Sequence, residues 1–128
     1  MKRIVFISIL LGFLLVPVFC LSQSAKDTYK SLKRIEAALQ GGVNFVDYSK
    51  LLREARFEQN IFLESAGGKK RADLRNILQD ILGMYESAKE FWQELNDTAN
   101  EEYREKMESS WATASEMLKK ANRLMETK

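Results

Sequence analysis

The chain has 128 residues with one proline, one cysteine and no histidine, and its 20 lysines and arginines outnumber its 18 acidic residues by a formal +2. That length suits one domain. The missing histidine excludes histidine-ligated haem, the usual Ser-His-Asp triad and the Glu-x-x-His di-iron motif that helical bundles often host. Lys2 and Arg3 supply the whole charge excess. Without them the chain is neutral overall, so its basic isoelectric point indicates no nucleic-acid partner.

The first segment differs from the rest. Met1-Lys2-Arg3 carries two positive charges, and residues 4–19 are uncharged and mostly apolar, broken only by Ser8, Gly12 and Pro17. Small residues follow in Cys20-Leu21-Ser22-Gln23-Ser24-Ala25. This order predicts a signal peptide over residues 1–24, cleaved after Ser22 or Ser24. The apolar run is shorter than the roughly 20 residues that span a bilayer. Phe19, standing where acylation of Cys20 would need a small residue, argues against lipidation. The expectation is an exported protein, periplasmic or secreted, with anchoring by the signal or by a lipid on Cys20 as the alternative. A mature chain over residues 25–128 would then have no disulfide, no thiolate metal site and no cysteine nucleophile.

The remainder is free of proline and rich in helix formers, and no period-two strand pattern persists. The first helix is expected from about Ala25 to Gln40, with Tyr29, Leu32, Ile35 and Leu39 on one face. Gly41-Gly42 should stop it. The second starts near Asn44, a good N-cap, with Asp47 in its first turn. Its stripe is Phe45, Tyr48, Leu51, Leu52, Ala55, Phe62 and Leu63, and Gly67-Gly68 should end it. The third runs from Arg71 or Ala72 to about Leu95, along Leu74, Ile77, Leu78, Ile81, Leu82, Tyr85, Ala88, Trp92 and Leu95, with Gly83 in its middle. Asn96-Asp97-Thr98 reads as a turn or N-cap, and as a glycosylation sequon that matters only in a eukaryotic host. The fourth covers about Ala99 to Met125, with a seam at Trp111, Ala114, Leu118, Ala121 and Met125. Four amphipathic helices on short links predict an all-α domain, an antiparallel up-down-up-down four-helix bundle.

Candidate chemistry is sparse. Glu86, Glu90 and Glu94 stand at i, i+4 and i+8 and are weak metal candidates, but a solvated charged face explains them better. Lys69, Lys70, Arg71 and Arg75 form a basic patch after two glycines. It fails as a phosphate loop, because Leu63 replaces the first glycine and Lys70 the Ser or Thr. The patch serves at most as a weak contact for an acidic partner or anionic lipid. Phe57, Ile61 and Phe91 fit their stripes least well and are the candidate interaction surface. No cofactor is implied. The expected function is a non-enzymatic binding module for a protein or a small apolar ligand. One alternative is a carboxylate-based metal binder or enzyme with a cleft among Glu54, Glu58, Glu86, Glu90, Tyr48 and Tyr85. The other is a structural protein self-associating through the fourth-helix seam.

Overall fold

A computed structural model describes residues 24–126. Residues 1–23, which hold nearly all of the expected signal peptide and Cys20, lie outside the described residues. The described chain is an all-α helical bundle without strands. Helix α1 occupies 24–41, α2 Phe45–Glu64, α3 Ala66–Lys70, α4 Ala72–Thr98 and α5 Glu101–Glu126.

The periodic stripes become the core. Leu32 and Ile35 of α1 are buried against Tyr48, Leu52, Ala55 and Phe62 of α2. The α4 stripe and Ala114, Leu118 and Ala121 of α5 complete the same cluster. Ala114, Leu118 and Ala121 of the fourth-helix seam therefore face the interior of the chain. Leu39, Val43, Trp92 and Trp111 meet at one end of the bundle, and Ala25, Phe62, Leu74 and Met125 at the other. Polar bonds tie the helices where sheer packing would let them slide. Ser115 on α5 donates to Glu36 on α1 at 2.6 Å. Burial pushes the Glu36 carboxyl up, but hydrogen bonds from Lys33 and Ser115 outweigh it and hold the group below the usual carboxylate range.

Three local expectations are met. Gly42 follows α1 with φ +84°, the left-handed C-cap that an L side chain resists. Asn44 caps α2, its side-chain oxygen accepting from the Asp47 amide at 2.8 Å. The long third helix starts at Ala72, as its stripe implies.

Two expectations are corrected. Gly67-Gly68 do not stop α2. That helix already ends at Glu64, and Ser65 is both its C-cap and the N-cap of the one-turn α3 that contains both glycines. The Ser65 hydroxyl donates to Phe62 O at 2.5 Å and accepts from the Gly68 amide at 3.1 Å. Gly68 is needed for room, since a Cβ there would lie 2.0 Å from Phe62 O. Asn96-Asp97-Thr98 is no turn but the last turn of α4. The chain reverses one residue later, where Ala99 takes the left-handed conformation at φ 55°. Asn100 then caps the next helix, accepting from the Glu102 amide at 3.0 Å.

Candidate functional site

A groove of about 620 Å³ runs between α2 and α4, with Tyr103 of α5 at one end. Phe45, Leu52, Phe91 and Tyr103 give it an apolar floor, while Arg53, Arg56, Glu86, Lys89, Glu90 and Glu94 form its rim. Helical spacing places these side chains. Phe45, Ser49, Leu52 and Arg56 recur at steps of three and four along the α2 edge nearest α4. Glu86, Lys89, Glu90, Gln93 and Glu94 do the same on α4. The wall is cross-linked once, where the Arg56 guanidinium pairs with Glu86, its Nε donating to Oε1 at 2.9 Å. The pair is partly exposed and so contributes little to stability. At the floor, Phe91 stacks on Tyr103 with ring centroids 6.5 Å apart. Lys106 lies 5.5 Å from the Tyr103 ring, and Lys89 lies 5.9 Å from the Phe45 ring.

Beneath the groove, an aromatic junction fixes the relation of three helices. Tyr48 of α2 donates its hydroxyl proton to Tyr85 O of α4 at 2.6 Å and accepts from Trp111 Nε1 of α5 at 3.2 Å. Trp92 meets Phe45, Tyr48 and Trp111 at centroid distances of 5.5 to 5.8 Å. Burial pushes both the Tyr48 and Tyr85 hydroxyls above the usual phenol range, so each stays protonated and neutral. The Tyr85 hydroxyl and Gln59 Nε2 are buried with no hydrogen-bond partner among the described residues.

The structure separates residues that the sequence groups. Phe57 and Ile61 are 65% and 43% exposed on the outer face of α2, whereas Phe91 is half-buried in the groove floor. Phe57 lines a separate shallow depression with Arg34, Arg53, Glu54 and Glu58, so Arg53 is the residue the two features share. The cleft expected from Glu54, Glu58, Glu86, Glu90, Tyr48 and Tyr85 does not assemble. Glu54 and Glu58 lie beside Arg34 of α1, Glu86 and Glu90 lie in the groove, and both tyrosines are fully buried.

Glu86, Glu90 and Glu94 do share the α4 wall, but their spacing spreads them over about 12 Å of helix. No group of three or more acidic residues among the described ones is placed to hold a metal ion. The basic patch is also divided. Lys69 and Lys70 are exposed on α3, and Arg75 is half-buried. Arg71 is held by Asp73, its Nε donating at 3.1 Å, and by Leu124 O, to which Nη2 donates at 3.0 Å. Leu124 lies in the last turn of α5, so this bond ties the start of α4 to the far end of α5.

Sequence periodicity missed the junction. Tyr48, Tyr85, Trp92 and Trp111 all read as ordinary core positions, and their only distinguishing signal was a polar tip that needs a partner when buried. No helix of the described residues is long and apolar enough to cross a membrane. No protein-family model matches the chain, and no significant match was found among curated proteins or solved structures.

Proposed function

We propose that this chain is an exported, non-enzymatic binding module, folded as an antiparallel four-helix bundle, that takes a small amphiphilic ligand in the groove between α2 and α4. The observation that carries this reading is the groove itself. About 620 Å³ falls within the range of small-molecule sites, and an apolar floor under a rim of fixed charge is how such sites bind and orient a ligand. Phe45, Leu52, Phe91 and Tyr103 would cover the apolar body. Arg53, which makes no ion pair among the described residues, and Lys89 stand where they would meet an anionic end. Export is supported by the basic, apolar and small-residue order of the leader. The bundle topology is supported by the opposite ends at which the four long helices α1, α2, α4 and α5 start in turn, with the one-turn α3 in the link between α2 and α4.

The test is a titration with 1-anilinonaphthalene-8-sulfonate, an apolar probe with one anionic group, followed by its emission and by amide chemical shifts. Saturable one-to-one binding is expected, with shifts centred on Ser49, Arg53, Lys89 and Phe91. Phe91→Ser should weaken it by about tenfold, the loss of one buried aromatic contact. Shifts scattered over the surface, or affinity unchanged in Phe91→Ser, would sink the reading.

A further inference from the structure

Where the link between α1 and α2 meets the turn between α4 and α5, a second pocket of about 510 Å³ opens at the end of the bundle. It shares no lining residue with the groove. Leu39, Val43, Leu95 and Met107 give it apolar walls, and the half-buried Trp92 and Trp111 stand in it together. The two indoles lie 5.8 Å apart between centroids and are inclined at 80°, so they make two walls of a corner. Trp111 is held in that pose by its Nε1, which donates to the Tyr48 hydroxyl at 3.2 Å.

Glu101, Arg104, Glu108 and Trp111 recur at steps of three and four, on one face of α5. The first three are the charged side chains of the lining. Arg104 is engaged by Glu101, its Nε donating to Oε2 at 2.6 Å. Glu108, one turn before Trp111, makes no ion pair or hydrogen bond among the described residues. Two carboxylates against one guanidinium leave the pocket with one uncompensated negative charge. Lys89 and Lys106 lie over the rings of Phe45, Phe91 and Tyr103, whereas neither indole carries a lysine or arginine among the described residues. Yet the indole is the ring whose face attracts a cation most strongly. A bare metal ion or ammonium would lose its water against apolar walls that cannot replace it. A quaternary ammonium wears methyl groups over its charge, so aromatic walls beside a carboxylate suit it.

We propose that this pocket binds a small soluble organic cation bearing a quaternary ammonium group, held in the Trp92–Trp111 corner and neutralised by Glu108. Its rim offers Glu101, Arg104 and Glu108, and the exposed large apolar side chains Val46, Phe57 and Ile61 all lie outside its lining. A rim without an apolar wedge suits a free cation rather than a headgroup embedded in a bilayer.

Choline and dimethylbutanol, its uncharged carbon isostere, titrated separately into the purified protein and followed by amide chemical shifts, test the proposal. Saturable shifts centred on Val43, Leu95 and Glu108 are expected for choline, in about the millimolar range for a ligand of so few atoms. The isostere fills the same volume without the charge and should bind at least about tenfold more weakly. Glu108→Gln should weaken choline by about tenfold and leave the isostere unchanged. Glu101→Gln, which frees Arg104 to repel the ligand, should weaken choline by about as much. Both positions are exposed, so the circular dichroism spectrum should stay that of the parent. The proposal is overturned if choline gives no saturable shifts at these positions, if the isostere binds as tightly, or if Glu108→Gln leaves the affinity for choline unchanged. It is overturned too if the protein sediments with phosphatidylcholine vesicles while free choline moves no amide. Because the pocket and the groove share no residue, failure at one leaves the other standing.

Discussion

Helices α2 and α4 use their apolar residues in opposite ways. In α4, Leu74, Ile77, Leu78, Ile81, Leu82, Tyr85, Ala88 and Leu95 are all buried, and no large apolar side chain is exposed. In α2, Tyr48, Leu52, Ala55 and Phe62 turn inward while Val46, Phe57 and Ile61 face solvent. A single inward stripe is what a helix needs in order to fold against its neighbours. A second, outward stripe adds nothing to that packing and costs solubility.

The largest way to break the contrast lies at the exit of α2. Gly68→Ala would set a Cβ 2.0 Å from Phe62 O, a backbone atom that cannot yield without moving the end of the helix. The expected loss is more than about 3 kcal/mol, measured by urea unfolding. Truncations compare the two helices directly. Leu78→Ala in α4 removes a fully buried side chain and should cost about 3 kcal/mol. Phe57→Ala in α2 should change stability by less than about 0.5 kcal/mol, because the ring is already in solvent. Equal losses from the two would erase the distinction between inward and outward stripes.

The buried tyrosines sharpen it further, since one lies on each helix. Tyr48→Phe leaves Tyr85 O and Trp111 Nε1 without their partner and should cost about 1 to 2 kcal/mol. Tyr85→Phe removes a hydroxyl that has no partner among the described residues, and should be neutral or slightly stabilising in the same urea unfolding. Gly83 lies in the middle of α4 with open space where a Cβ would go. Gly83→Ala should raise stability by about 0.5 to 1 kcal/mol, several degrees in melting temperature for a domain of this size. A loss there would reveal a close contact absent from the single chain.

The helices were legible because their burial repeats every three or four residues, and that period is written in Leu74 to Leu95 without reference to anything else. Local caps were legible for the same reason. Asn44 reaches a backbone amide three residues away, and such a bond needs no tertiary partner. The two glycine pairs look alike in sequence yet differ in role. Gly42 is selected by its own φ, Gly68 by the room left beside Phe62 once Ser65 has turned the chain. Asn96-Asp97-Thr98 misled because these side chains bond back along the helix instead of turning the chain: Asp97 accepts from Gln93 at 3.2 Å, and Thr98 donates to Glu94 O at 2.7 Å. The groove was partly visible. Phe91 stood out as off its stripe, but its stacking partner Tyr103 comes from the next helix. The carboxylates read as a solvated face because Arg56, which reaches Glu86 from 30 positions away, has no local signature.

Both tryptophans of the chain, Trp92 and Trp111, stand at the same end and touch each other edge to face. Intrinsic emission is therefore a local gauge. It reports whether the Tyr48 junction is dry and closed, and is blind to fraying around Ala25, Leu74 and Met125 at the far end. Far-ultraviolet ellipticity samples every helix at once. Superimposed melting curves from the two signals would mark a bundle that opens all or none, whereas an ellipticity loss preceding the emission change would locate the first yielding at the tryptophan-free end.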